Sequence, residues 1–154
     1  MNFRFAFIAA PLLLAACSDD PVVEDIKEFN ELADKTVSKS GTDEMMSKMR
    51  AASTNEEKSK LLGEYASATR KQAETLSAFK ADSPEMEAIS EKIAGGLSKA
   101  ADGAAAGQKA FASGEQSDAS KASSQMNEGF REFMAGASEM RKLAKEKNVS
   151  LKID

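Results

Sequence analysis

The chain of 154 residues contains one cysteine, Cys17, and neither histidine nor tryptophan. Those counts narrow the chemistry open to it. A cysteine sulfur is both a strong nucleophile and a soft ligand, and the single one stands at the end of Leu14-Ala15-Ala16-Cys17. Without histidine the usual ligand sets of zinc and haem are missing, as is the Glu-x-x-His motif of di-metal bundles. With one cysteine no disulfide can form within the chain. Three other groupings have spacing that suits chemistry. Glu87 and Glu91, and Glu128 and Glu132, lie one helical turn apart. Met45, Met46 and Met49 gather thioethers, which suit Cu(I). Ser77-Ala78-Phe79-Lys80 sets a lysine amine three residues from a serine hydroxyl, the S-x-x-K spacing of an acyl-transfer site.

None of the three reads as a site. Carboxylates at i,i+4 repel mildly and belong on solvated faces, and no apolar cleft is indicated around either pair. Met45 and Met49 share a face through i,i+4 spacing alone, and methionine fills gaps in cores. Ser77-x-x-Lys80, taken with Lys39-Ser40-Gly41, resembles two elements of penicillin-binding enzymes. The second element should follow the first, however, and here it precedes it. The Ser-Asp-Asn element that belongs between them is missing, and the chain is too short for that fold. The expectation is no catalytic residue, no metal site and no cofactor.

Cys17 is different, because its surroundings specify its chemistry. Arg4 gives a positive start, Phe5 to Leu14 an apolar run, and Ala15-Ala16 the small residues that a signal peptidase requires. The run is too short to span a bilayer, which takes about 20 residues. Leu14-Ala15-Ala16-Cys17 resembles the lipobox of bacterial lipoproteins. The resemblance covers residues 1–17 only and implies three events: transfer of a diacylglycerol to the Cys17 sulfur, cleavage between Ala16 and Cys17, and a lipidated Cys17 as mature N-terminus. One acyl chain anchors only marginally, whereas diacylglycerol plus an amide-linked chain anchors stably. Ser18 follows the cysteine, which resembles an outer-membrane lipoprotein; aspartate there retains enterobacterial lipoproteins in the inner membrane.

Residues 17–21 then form a short lipidated tether, and residues 22–147 a helical domain. The formal net charge of the whole chain is −4, and removing residues 1–16 takes away only Arg4. No basic cluster marks a nucleic-acid footprint. Asp20-Pro21 is a helix start, with an N-cap acceptor and proline at the first helical position. Val22, Ile26, Phe29, Ala33 and Val37 recur on one helical face, with Glu31 and Lys35 paired on another. A short helix is expected over 43–52.

Thr54 with Glu57 reads as a capping box, followed by Leu61, Tyr65, Ala68, Gln72, Leu76 and Phe79 on one face. Ser83-Pro84 opens the next helix, whose apolar face runs Met86, Ile89, Ile93, Leu97, Ala100, Ala104 and Phe111. Its glycine- and alanine-rich half, 94–107, invites close packing of a neighbour. Gly103-x-x-x-Gly107 looks like a membrane dimer motif, but Lys99, Asp102 and Lys109 exclude a span. Gly114 ends that helix. Ser117 or Asp118 starts the last, which carries Ala119, Ala122, Met126, Phe130, Phe133, Ala137, Met140 and Ala144 on one face and closes at Asn148. Residues 148–154 are a tail in which Val149, Leu151 and Ile153 alternate with polar residues.

The fold expected is all-α, an antiparallel four-helix bundle with an extra short helix near 43–52. The function expected is that of a lipid-anchored, periplasm-facing lipoprotein, with the membrane met through the lipid on Cys17. It acts by binding an envelope protein and not by catalysis. The alternative is a small-molecule or metal carrier that uses the bundle interior.

Overall fold

The computed structural model describes residues 20–37 and 42–152, with backbone alone at 42–46 and Gln116. Among these residues the fold is an all-α bundle of four long helices and one short one: α1 Pro21–Val37, α2 Thr42–Ala51, α3 Asn55–Ser77, α4 Pro84–Ser113 and α5 Gln116–Glu146. No helix among the described residues is long and apolar enough to cross a membrane.

Local chemistry explains most of the helix ends. Asp20 caps α1, its Oδ1 accepting from the Val22 N–H at 3.1 Å. Thr54 and Glu57 close the capping box of α3: the Glu57 N–H donates to Thr54 Oγ1 at 3.1 Å and the Thr54 N–H to Glu57 Oε2 at 3.1 Å. These bonds hold the Glu57 carboxyl below its ordinary value, with the backbone N–H of Ser53 the largest cause. Thr54→Ala removes the side-chain half of the box and is expected to cost about 1 kcal/mol. Urea unfolding should show a lower midpoint with an unchanged slope. Gly114 ends α4 in the left-handed region at φ 76°, where a side chain would be strained. Asn148 does the same after α5 at φ 56°. The Val149 N–H then donates back to Ala144 O at 2.8 Å and that of Asn148 to Lys145 O at 3.2 Å, a Schellman motif. α5 begins at Gln116, slightly before the Ser117 or Asp118 expected from capping residues, and its N-cap Glu115 makes no side-chain cap.

α4 is the central element. It packs along α3 on one side and α5 on the other, antiparallel to both, while α3 and α5 do not pack backbone to backbone among the described residues. Thirty residues at 1.5 Å each make it about 45 Å long. α1 is 17 residues and covers only the half of the bundle that contains the α3–α4 turn. There Ile26 and Phe29 are fully buried, and Phe29 meets Phe79 edge-on at 5.1 Å. α2 lies at the other half, where Met49 packs with Leu62, Tyr65 and Phe111.

The apolar faces expected of α1 and α4 are the buried ones, save that Val37 and Phe111 at their C-terminal ends are half-buried. The face of α3 is rotated from the expected one. Leu62, Ala66, Thr69, Ala73 and Leu76 are buried, whereas Ala68 is exposed and Leu61, Tyr65 and Gln72 are half-buried. The larger residues suggested one stripe; the smaller neighbouring stripe is the one that lets α3 approach α4 closely.

The α4–α5 seam carries the same logic further. Met86, Ile93, Ala100 and Gly107 recur every seven residues on α4, as do Ile89, Gly96, Gly103 and Ala110, and all eight are buried. Buried Ala122, Gly129 and Gly136 repeat at the same interval on α5. A Cβ on Gly96 would lie 2.8 Å from both Gly129 O and Phe133 Cα, and one on Gly129 would lie 2.6 Å from Gly96 O and 2.8 Å from Ala100 Cα. The two backbones touch, so glycine is required at these positions by space and not by conformation. Ion pairs flank the seam: Lys92 with Glu139 at 2.6 Å, and Lys99 with Glu132 at 2.7 Å and Glu128 at 3.3 Å.

Candidate functional site

Of the residues singled out for chemistry, Ser77, Lys80, Glu87 and Glu91 come to one open groove on α3 and α4, and the others lie elsewhere. Ala16 and Cys17 lie outside the described residues, as do Lys39, Ser40 and Gly41. Ser77 and Lys80 are both exposed where α3 gives way to the α3–α4 turn. Their S-x-x-K spacing spans the end of the helix and sets up no buried nucleophile–base pair. Glu128 and Glu132 both turn to Lys99, and their hydrogen bonds hold its ammonium above the ordinary value, Glu132 the larger cause. They are the anionic side of a surface pairing across the seam. Glu87 and Glu91 line an open groove of about 560 Å³ on the outer face of α3 and α4, beside Arg70, Lys80 and Ser98. Of the three methionines, Met49 packs into the core beside Leu62, and the side chains of Met45 and Met46 are not described. Among the described residues no three cysteine, aspartate or glutamate side chains gather to hold a metal ion.

Two other places are built with more specificity. The first is the end of the bundle at which α1 starts and α5 ends. Besides capping α1, Asp20 accepts from Lys147 Nζ at 2.7 Å, which ties the start of the domain to the end of its last helix. The tail doubles back over the same region. Val149 and Leu151 pack against the core, and the Lys152 N–H donates to Oδ1 of buried Asn30 at 3.3 Å. Lys152 Nζ also reaches Glu31 at 3.4 Å. Residues 148–152 therefore help fix α1.

The Lys147 hydrogen bond holds the Asp20 carboxyl below its ordinary value near 3.8. A carboxyl lowered on folding contributes stability above its unfolded value, and that contribution disappears as pH falls through the lowered one. The clip should therefore open in acid, below pH 3.8. The measurement is the Asp20 carboxyl carbon shift against pH by NMR. Its midpoint is expected below that of a model peptide in the wild type and close to it in Lys147→Met.

The second place is a groove of about 300 Å³ between α1, α4 and α5, roofed by Leu151 of the tail. Its walls are apolar, and among the described residues Asn30 and Arg141 are the polar side chains that line it. The sequence signalled it poorly, since its lining comes from α1, α3, α4, α5 and the tail together. Met134, at 52% the exposed large hydrophobic among the described residues, is the one local clue.

No family model, curated protein or solved structure matches the chain.

Proposed function

We propose that the protein is a lipid-anchored lipoprotein of the bacterial envelope, held at the outer membrane facing the periplasm, and that it acts by binding another envelope protein. The observation that carries this reading is the closeness of the lipobox to the folded domain. Asp20 already caps α1 and is clipped to Lys147, only three residues beyond Cys17. Three extended residues reach about 10 Å. A lipid on Cys17 would thus keep the end of the bundle that contains the α3–α4 turn against the membrane. The α4–α5 turn and α2 would stand some 45 Å away, at the length of α4. Such a geometry suits presentation of one end to a partner. It also suits a non-catalytic role, because Ser77, Lys80, Glu87 and Glu91 are exposed around an open groove and Glu128 and Glu132 are paired with Lys99.

Cys17→Ser is the direct test. The wild type is expected to take up labelled acyl chains and to sediment with membranes, and the variant to do neither. A variant that sediments as the wild type does would remove the anchor. The binding claim is tested separately by crosslinking intact cells and recovering the protein. Its partner should be captured by the wild type and lost when residues at the α2 end are changed; recovery of the protein alone would sink the claim.

A second reading, a small-molecule carrier, is supported by the apolar groove between α1, α4 and α5.

A further inference from the structure

The groove deepens the carrier reading, and it neither needs nor tests the lipid anchor. A volume of about 300 Å³ stands at the small end for ligand pockets. An apolar groove of this size has room for an alkyl chain. The walls are Ala33, Val37, Leu76, Ile93, Phe133 and Met140. Asn30 is the one polar wall residue within, and its Oδ1 is occupied by the Lys152 N–H. A peptide placed there would bury amides with almost nothing to satisfy them, which is costly. An alkyl chain has no such demand.

The mouth supplies the other half of the argument. Arg141 stands on the rim, exposed, one helical turn along α5 from the lining residue Ala137. The acidic residues nearest to it on α5 are engaged elsewhere: Glu139 with Lys92 and Glu146 with Lys142. Arg141 itself has no ion pair among the described residues, and Met134 beside it extends the apolar wall into solvent. A guanidinium is suited to bidentate recognition of a carboxylate. We propose that this groove binds a medium-chain fatty acid, with its alkyl chain between α1 and α5 and its carboxylate on Arg141.

Methionine methyl groups report on this directly. The full chain, labelled at its methionine methyls and held in lipid nanodiscs, is titrated with decanoate and, separately, with decanol. Decanoate is expected to move the signals of Met134 and Met140, which line the groove, and to leave those of Met49 and Met126, which pack in the other core cluster. Arg141→Glu lies on an exposed helix face and should fold. It is expected to weaken decanoate at least tenfold and leave decanol unchanged. Ala137→Phe fills the groove and should abolish both. Four methyl signals that move together, as membrane partitioning alone would cause, would overturn the proposal. So would an Arg141→Glu variant that binds decanoate like the wild type. If Cys17 proves not to carry lipid, the same titration in plain buffer keeps its meaning.

Discussion

Alanine at Gly96 is expected to destabilise the protein by about 2 kcal/mol, and alanine at its neighbour Gly95 to stabilise it by about 0.8 kcal/mol. The two glycines are adjacent in α4 and equally unfavourable for a helix by propensity. They differ in what lies outside them. Around Gly95 a Cβ meets nothing within 4 Å, so the substitution only reduces the conformational freedom of the unfolded chain. Around Gly96 the new carbon meets Gly129 O and Phe133 Cα at 2.8 Å. Those are backbone atoms, and no rotamer change can move them. α4 and α5 must separate, which loosens the seam along its length. Overpacking of this kind costs about 1–3 kcal/mol or more, and the propensity gain offsets about 1 kcal/mol of it. Gly129→Ala attacks the same contact from α5, against Gly96 O at 2.6 Å, and should behave alike. The two changes together should cost less than the sum of each alone, because helices already forced apart accept the second methyl more easily. Urea midpoints of the four variants decide the matter. A Gly96→Ala protein as stable as the wild type would mean that the helices do not touch at this point.

Asp25→Ala is the second large effect expected, at about 3 kcal/mol. Asp25 is 4% exposed on α1, yet it works on another helix. Its carboxylate accepts from the Ser83 N–H at 2.8 Å, from the Asp82 N–H at 3.1 Å and from the Ser83 hydroxyl. α4 begins at Pro84, and Ser83 holds the N-cap position without a side-chain cap of its own. The job expected of Ser83 is done from α1 by a charge placed at the positive end of a 30-residue helix. Hydrogen bonds to a charged acceptor contribute about 1.5–3 kcal/mol each, and a buried donor left alone adds its own desolvation cost. Asp25→Asn should fall between wild type and alanine, since an amide has one acceptor oxygen where three donors converge. Hydrogen exchange adds a structural readout: the amide of Ser83 should lose protection in Asp25→Ala before the middle of α4 does. Equal protection in both proteins would show that the carboxylate is not the cap.

Both effects were poorly legible beforehand, for a common reason. Asp25 reads along the chain as an acidic residue suited to the positive end of its own helix. Its real partner is 58 residues away. The stretch 94–107 invites a close neighbour by its composition, but that Gly96 meets the backbone at Gly129, and Gly103 that at Met126, only the neighbouring helix shows. The rotated face of α3 has the same origin. Tyr65 and Leu61 are large and attract attention, while Ala66, Thr69 and Ala73 are small and face the closest neighbour.

What the chain determined by itself is what depends on residues close together in sequence. The capping box at Thr54, the Asp20-Pro21 start, the proline that opens α4 at position 84 and the left-handed stop at Gly114 are set within a few residues, and the apolar stripes of α1 and α4 by local periodicity. The all-α bundle with its short helix follows from them. The lipobox around Cys17 is likewise local, and it remains the basis of the proposal for where the protein works. Tertiary structure alone decided how the helices are arranged: α4 at the centre, α1 over one half and a seam with no room for side chains. It also placed Asn30, Phe133, Arg141 and Leu151 around one groove. Those outcomes depend on the distance between backbones, which is set by small residues that carry little hydrophobic signal and by polar side chains whose partners lie far along the chain.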